Sequence, residues 1–522
     1  MMINKSIPDS WEWASLVNDI NYVPTGVPEF QEIKEYFSTG SIDGESYTPE
    51  GSYSYSDKPS RANRIGIKGD VFQARMKSTN KSFIVNDALS GALFSTGFFQ
   101  CRSYAGTIDS KYLSYYFSSR VFGEIKDKLC TGSTQSSLND KAAINIQIPI
   151  PPINEQKRIV ERIEELFSEL DSGIESLTKA KQQLSVYRQT LLKQAFEGKL
   201  TESWRIDNED KLTPPKELLI QVQKEREKIY QRQLEEWNVE VKLWEDNGEK
   251  GKKPTKPKLL KSNSVNTSEN GNSKVWYKTS LINILLSKPA NGKSVRDLPG
   301  GFPVLRLTSL KSKYVDLSES KEGLWTKKDA KPYIIHKGDF LLSRGNGSKR
   351  LVGRGALVNE IKFEVAYPDT IVRLSLPKEG IIPELFSYFW NSAVFREQIE
   401  NSARTTAGIY KINQAVISEY EYPVISLNEQ KLILTLLDEK ISISEQIEND
   451  IETNLIKAEL LRQSILKNAF TGKLVAQDSE DEPAIELLKR IAIEKQRIAE
   501  KDRTEKAAAR KKKSTANKTV KS

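Results

Sequence analysis

The stretch Arg344-Gly345-Asn346-Gly347-Ser348-Lys349-Arg350 gathers two guanidinium groups, an ammonium, an amide and a hydroxyl on a glycine-rich backbone. Such groups suit nucleic acid: arginine donates in a fork to guanine O6 and N7, asparagine pairs at two points with adenine, and Ser, Thr and Lys meet phosphate oxygens. Related chemistry stands in Arg75-Met76-Lys77-Ser78-Thr79-Asn80-Lys81. Two shorter runs, Thr131-Gly132-Ser133-Thr134-Gln135 and Thr405-Thr406-Ala407-Gly408-Ile409-Tyr410-Lys411, add small hydroxyl residues and a glycine that let a backbone approach phosphates. The candidate contacts are Arg75, Lys77, Ser78, Thr79, Asn80, Lys81, Ser133, Thr134 and Gln135 in the first half, and Arg344, Asn346, Ser348, Lys349, Arg350, Thr405, Thr406, Tyr410 and Lys411 in the second. Polar loops of this kind are also ordinary surface turns, and that reading stays open beside the first. Arg102 and Arg373 lie within apolar, strand-like runs and fit a structural role instead.

Catalytic chemistry finds little to work with. His336 is the single histidine, which excludes a multi-histidine metal centre, and Cys101 and Cys130 lack the spacing of a zinc ribbon or a disulfide framework. Gly345-Asn346-Gly347-Ser348-Lys349 lacks the spacing of a phosphate-binding GxxxxGK[S/T] loop. Pro151-Pro152-Ile153 is no match to the Asn/Asp-Pro-Pro-aromatic motif of amino-methyltransferases. The expectation is a chain with no catalytic residue, no metal and no cofactor of its own.

Net charge is a poor guide here. Of the formal +9, the last 22 residues supply +7 through nine Lys/Arg against two acids, so the first 500 residues carry only +2. The end of the chain, with Arg510-Lys511-Lys512-Lys513, reads as a solvated disordered tail. No apolar run of about 18 residues exists, and Met1 to Ser10 lacks the order of a signal peptide, which points to a cytoplasmic protein without membrane contact.

The elements that must hold these loops are duplicated. Asn154-Glu155-Gln156-Lys157 recurs as Asn428-Glu429-Gln430-Lys431, and the run from Arg188 to Leu200 recurs from Arg462 to Leu474, both at an offset of 274 residues. Between them Ile159, Ile163, Phe167, Leu170, Ile174, Leu177, Leu184 and Leu191 fall at helical spacing, as do Ile433, Leu437, Ile441, Ile447, Ile451, Leu455 and Leu460. Prolines precede each stripe, and Gly198 and Gly472 sit where each helix can stop. An unbroken helix of about 45 residues would span roughly 65–70 Å. Each narrow stripe needs a partner: the other copy, as an intramolecular coiled coil, or its own globular domain. The pattern leaves orientation open; a pseudo-two-fold relation between the halves implies antiparallel helices. The Asn-Glu-Gln-Lys pairs read as helix N-terminal caps.

Weaker matches extend the repeat: Trp11 with Trp276, Lys68-Gly69-Asp70 with Lys337-Gly338-Asp339, Arg75 with Arg344, Ser114-Tyr115 with Ser387-Tyr388, Leu138-Asn139 with Ile412-Asn413. The offset drifts from 265 to 274, as small loop insertions would make it. The fold class expected is α+β: two mixed globular domains separated by two long helices. The segments are a domain over 1–150 with a helix from Lys111 to Lys128, a long helix over 151–200, a charged helix plus a mobile Lys/Pro/Asn/Ser linker over 201–274, a second domain over 275–425, a second long helix over 426–475, a charged helix over 476–500 and a basic tail over 501–522.

This order of variable domain, proline-rich lead-in, Asn-Glu-Gln-Lys, long helix ending in Gly-Lys-Leu, and the same again, resembles the specificity subunits of type I restriction-modification systems. The likeness covers nearly the whole chain; the second lead-in, Pro423-Val424-Ile425-Ser426, departs from the Pro149-Ile150-Pro151-Pro152 of the first. It implies two target-recognition domains, each reading one half of an asymmetric bipartite site in double-stranded DNA, with the paired helices setting half-site spacing. Two methyltransferase subunits would grip the helices and restriction/translocase subunits would join them, with S-adenosylmethionine, ATP and Mg on those partners. Two DNA-reading modules on one face of a duplex lie about one helical turn apart, roughly 34–36 Å. The rival expectation is a coiled-coil scaffold whose globular halves bind proteins without DNA sequence specificity.

Overall fold

The computed structural model describes residues 7–44, 46–103, 107–132, 136–261, 276–311, 313–406 and 408–519. In chain order the helices are α1 (Ser110–Ser118), α2 (Arg120–Leu129), α3 (Asp140–Ala143), α4 (Ile153–Phe196), α5 (Glu202–Asp207), α6 (Pro215–Asp246), α7 (Lys327–Ala330), α8 (Pro383–Trp390), α9 (Ala393–Ser402), α10 (Gln414–Glu419), α11 (Leu427–Ala469) and α12 (Ala484–Thr519). Contacts group them into two units, Met1–Lys179 with Ile451–Ser522, and Ala180–Asp450. The two long helices are therefore shared between the units and do not form a module of their own.

In the first unit the strands Tyr22–Val23, Phe98–Cys101, Val71–Ala74 and Ser82–Ile84 form an antiparallel sheet in that order. A second sheet orders Gly51–Tyr53, Lys34–Phe37, Leu93–Ser95 and Ala62–Ile65. Phe72, Phe83, Phe94 and Phe98 fill the space under these strands, with Phe72 and Phe83 stacked at 5.3 Å. Glu12–Ser15 pairs with Gln147–Ile150 just before α4 begins. A single helix from Lys111 to Lys128 was expected, but the structure breaks it at Ser119. That residue is extended (φ −74°, ψ 147°), and its hydroxyl caps α2 by accepting the Phe122 N–H.

The second unit repeats the first sheet with Ala290–Asn291, Ile371–Ser375, Asp339–Ser343 and Gly355–Leu357, and repeats the terminal pair with Tyr277–Ser280 and Glu421–Val424. Ser392 caps α9 as Ser119 caps α2. The copies differ in strand pairing more than in length, however. Where the first unit has its second four-stranded sheet, the second has a hairpin of Asp297–Leu305 with Ser320–Gly323.

Each long helix meets the opposite end of the other. In the first unit Ile159 and Ile163, early in α4, share a core with Ile465, Leu466 and Ala469, late in α11. Arg462 there pairs with Asp171 and lies over the Phe167 ring at 4.4 Å. In the second unit Leu191, Leu192, Ala195 and Phe196, late in α4, share a core with Ile433, Leu437 and Ile441, early in α11, and Arg188 pairs with Glu448. The helices thus pair antiparallel in both units, and each also docks on the globular part beside it. Gly198 and Gly472, at φ +76° and +69°, end the two helical runs in the left-handed conformation that glycine adopts freely.

The Asn-Glu-Gln-Lys repeats are not caps. Asn154 and Asn428 lie inside the first turns, and the Glu-Gln pairs that follow are buried hydrogen-bonding hubs. Glu155 accepts from Trp11 Nε1 (2.9 Å) and Gln477 Nε2 (2.6 Å); Gln156 accepts the Asp109 N–H (2.8 Å) and donates to the Pro151 carbonyl. In the second unit Glu429 accepts from Thr201 Oγ1 (2.6 Å) and Arg205 Nε (2.9 Å), while Gln430 accepts the Ile382 N–H (2.9 Å). Each hub ties the start of one long helix to the segment that follows the other.

α6 and α12 are likewise copies. Leu218 and Leu219 join the second core as Leu487 and Ile491 join the first, and Val222 is buried as well. Nine residues after the paired glutamates Glu217 and Glu486, Arg226 bonds the carbonyls of Ile282 and Leu285, and Lys495 bonds that of Asn18. Residues 501–519, expected as a disordered tail, continue α12 as helical backbone, since Ala, Lys, Arg and Glu favour helix and no Gly or Pro interrupts them. The expected mobile linker folds back in part: Lys253 and Lys256 lie over the rings of Trp244 and Trp237, whose indole N–H groups donate to Gly251 and Pro254.

Candidate nucleic-acid interface

In each unit the two candidate segments, separate in sequence, come together, by direct backbone pairing in the second unit and through Ser136 and Ser137, just after the 131–135 run, in the first. The first leaves a central strand of the sheet; the second precedes a short helix whose start is capped by Asn139 or Asn413. In the first unit Met76 bridges Ser137, the Lys77 N–H donates to Ser136 (3.0 Å), and Thr131 bridges Ser137. In the second, Gly345–Asn346, Ile409–Lys411 and Arg404–Thr406 form a three-stranded sheet in that order. Gly345 allows this close pairing, because a Cβ there would stand 3.2 Å from the Tyr410 carbonyl oxygen. Ser133, Thr134 and Gln135 lie outside the described residues.

The individual side chains divide sharply. Arg75, expected to reach bases, is held inside the domain with its side chain only 14% exposed. Its guanidinium donates to the Phe98 carbonyl (3.1 Å), to the Leu138 carbonyl (3.4 Å) and to the Tyr22 hydroxyl, and pairs with Asp140 at 2.5 Å. Burial pushes the Tyr22 phenol up to about 12, with its hydrogen bond to Asp140 adding to the effect. Although burial works the other way, the Tyr22 hydroxyl and the Arg75 guanidinium hold the Asp140 carboxyl below its usual range. Asn80 donates to the Ser118 carbonyl (2.7 Å) and Lys81 to those of Thr39 and Ile42, so these two also stabilise the loop itself. Lys77 and Ser78 are exposed and Thr79 is half-buried.

Arg344 has a different environment. Tyr22 lies on the strand that pairs with Phe98–Cys101, and the matching strand of the second unit begins with Ala290; Asp140 opens α3, and Gln414 opens α10. With neither a phenol nor a carboxylate to hold it, the half-buried Arg344 side chain makes no hydrogen bond or ion pair among the described residues. Lys349 and Arg350 are exposed, as are Thr405 and Lys411, and Tyr410 is half-buried. Asn346 accepts the Ser348 N–H at 3.0 Å and shapes the turn. For Thr406 only the strand backbone is described. Arg102 and Arg373 are structural, as their apolar runs suggested: Arg102 holds buried Asp70 at two points (2.7 and 2.8 Å), and Arg373 donates to the Ile334 carbonyl (2.8 Å) near Asp339.

A family model described as the type I restriction modification DNA specificity domain matches residues 31–181 and again 279–453. The chain belongs to this family of type I restriction-modification specificity proteins. It is 26% identical over 377 residues to the EcoKI specificity subunit of Escherichia coli (strain K12), spanning 72% of this chain and 68% of the relative. To the StySPI specificity subunit of Salmonella potsdam it is 23% identical over 378 residues, with the same shares of both chains. Its fold is similar to that of the HsdS subunit from Thermoanaerobacter tengcongensis (TM-score 0.51, 16% identity, 90% of this chain and 98% of that one). A chain solved in work on type I restriction-modification assembly and conformational transition is also similar (TM-score 0.62, 17% identity, 90% of this chain and 100% of that one).

As a specificity subunit this chain recognises DNA for a restriction-modification complex and is not itself the catalyst. Among the described residues no group of three or more His, Cys, Asp and Glu could hold a metal ion, and no helix is long and apolar enough to cross a membrane.

Sequence reasoning missed Tyr22, Asp140, Lys126 and Asp127 around the first loop. A signal existed for Lys126 alone: it follows Phe122 by one turn on the apolar face of α2, where a charge is out of place.

Proposed function

We propose that each globular domain, within 1–150 and 275–425, reads one half of an asymmetric bipartite site in double-stranded DNA. The reading surface of each is the polar ledge where the strand-exit loop pairs with the later hairpin. One observation carries this: stretches bearing base- and phosphate-binding side chains, more than fifty residues apart in sequence, meet through backbone pairs in both domains, Gly345–Asn346 with Tyr410–Lys411 in the second and Met76–Lys77 with Ser136–Ser137, just past the 131–135 run, in the first. In the first domain Lys77, Ser78 and Thr79 present the groups that reach DNA, while Arg75, Asn80 and Lys81 shape the loop. In the second, Arg344, Lys349, Arg350, Thr405, Tyr410 and Lys411 present them on the turn formed by Asn346 and Ser348. The two sets differ, so the half-sites differ.

The antiparallel helices set half-site spacing and dock two methyltransferase subunits, to which restriction/translocase subunits are added. S-adenosylmethionine, ATP and Mg belong to those partners, and the complex works in the cytoplasm. The test is a map of modified adenines across the host genome with and without this gene. Loss of one bipartite motif supports the reading. An unchanged map, with an active partner methyltransferase present, would overturn it in favour of a protein-binding scaffold.

A further inference from the structure

Lys126 is a charge at a core position. On α2 it stands one turn after Phe122, and the two residues are 1% and 0% exposed. The second domain repeats this helix as α9, with Ser392 and Phe395 matching Ser119 and Phe122, and there the same position holds Ile399, fully buried. An apolar side chain therefore fits this scaffold at that depth. A buried ammonium is unfavourable unless its donors are met.

Its donors meet one target. Lys126 Nζ donates to the backbone carbonyls of Ala74 (3.4 Å), Met76 (2.9 Å) and Thr79, all in the strand exit and the loop that follows it. Its nearest carboxylate, Asp127, is 3.9 Å away and faces the same loop from the other side. Both Asp127 carboxylate oxygens accept the Ser78 N–H at 3.0 Å. Ser78 has φ +57°, a conformation that residues other than glycine adopt only when held. Two consecutive residues of α2 thus clamp residues 74–79, one from inside the core and one from the surface.

We propose that Lys126 and Asp127 are positioning residues that fix the first DNA-reading loop and so determine specificity for one half-site. This rests on the reading above that Lys77, Ser78 and Thr79 face DNA. An ammonium that merely filled a core position would be replaceable by an apolar side chain of similar length without consequence, as the second domain shows with Ile399.

The experiment uses the complex assembled with its modification subunits and duplexes carrying its own site, with single-base changes in either half. Lys126→Met and Asp127→Ala are compared with the parent and with the loop variant K77A/S78A/T79A, and amide exchange over residues 76–80 is followed. The expected result is at least a tenfold fall in discrimination at the first half-site, unchanged discrimination at the second, and faster exchange in the loop. If the loop variant loses discrimination while both α2 variants stay within twofold of the parent, the positioning role is overturned and the interface stands. If the loop variant also stays within twofold, the interface reading fails and takes this inference with it. Should Lys126→Met fail to assemble, Asp127→Ala, which keeps the Lys126 hydrogen bonds to the Ala74, Met76 and Thr79 carbonyls, decides the matter by the same criteria.

Discussion

Arg75 and Arg344 occupy equivalent places in the repeat, follow equivalent strands and carry the same side chain, yet their removal is expected to do opposite things. Arg75→Ala deletes a guanidinium that bonds two carbonyls and a phenol and pairs with Asp140. A charged hydrogen bond contributes about 1.5–3 kcal/mol, and partial exposure of Asp140 discounts the ion pair, so the whole set stabilises the first unit by about 3 kcal/mol. At about 2–4 °C per kcal/mol for a unit of this size, the melting midpoint falls by about 6–12 °C. Arg344→Ala deletes a side chain with no partner among the described residues, and its effect on stability is expected within about 0.5 kcal/mol. Its effect on recognition is large: a lost bidentate contact to guanine removes about 1–3 kcal/mol, or about 5- to 150-fold, of discrimination at one base pair. The assay pairs thermal melting with competition binding against every single-base change in both half-sites. Melting unchanged by Arg75→Ala, or second half-site selectivity unchanged by Arg344→Ala, would refute the reasoning for that residue.

Asp70 is 1% exposed and clamped by Arg102, so Asp70→Ala is expected to destabilise the first unit by about 3–5 kcal/mol, measurable by denaturant unfolding. The Asp481 carboxyl is held below its usual range by the hydrogen bond from Arg158. A depressed folded-state value means that its contribution is present above the unfolded value of about 3.9 and is lost as pH falls through the folded one. Asp481→Asn should therefore flatten the acid limb of the stability profile below about pH 4, and an unaltered limb would count against the pair. Truncation after Pro483 removes Leu487 and Ile491 from the first core and is expected to cost about 4 kcal/mol, whereas truncation after Glu500 should leave the melting midpoint unchanged.

What could be read in the one-dimensional chain is what depends on local spacing and on comparing one half with the other. The equal offset of the Asn-Glu-Gln-Lys and Gly-Lys-Leu pairs established the duplication, the three- and four-residue spacing of Ile159, Ile163 and their successors established the long helices, and the residue types of 344–350 suggested the chemistry. None of these depends on a distant partner. Tertiary structure decided the rest, because each remaining question concerns groups far apart in the chain. Whether a guanidinium is available for DNA turns on Tyr22 and Asp140 for Arg75, and for Arg344 on a matching strand, Ala290–Asn291, that carries no phenol and on Gln414 in place of the carboxylate. Whether Glu155 caps a helix or anchors a buried network turns on Gln477, more than three hundred residues away. The early part of each long helix is covered by the late part of the other, an outcome set by long-range burial that an apolar stripe alone leaves open.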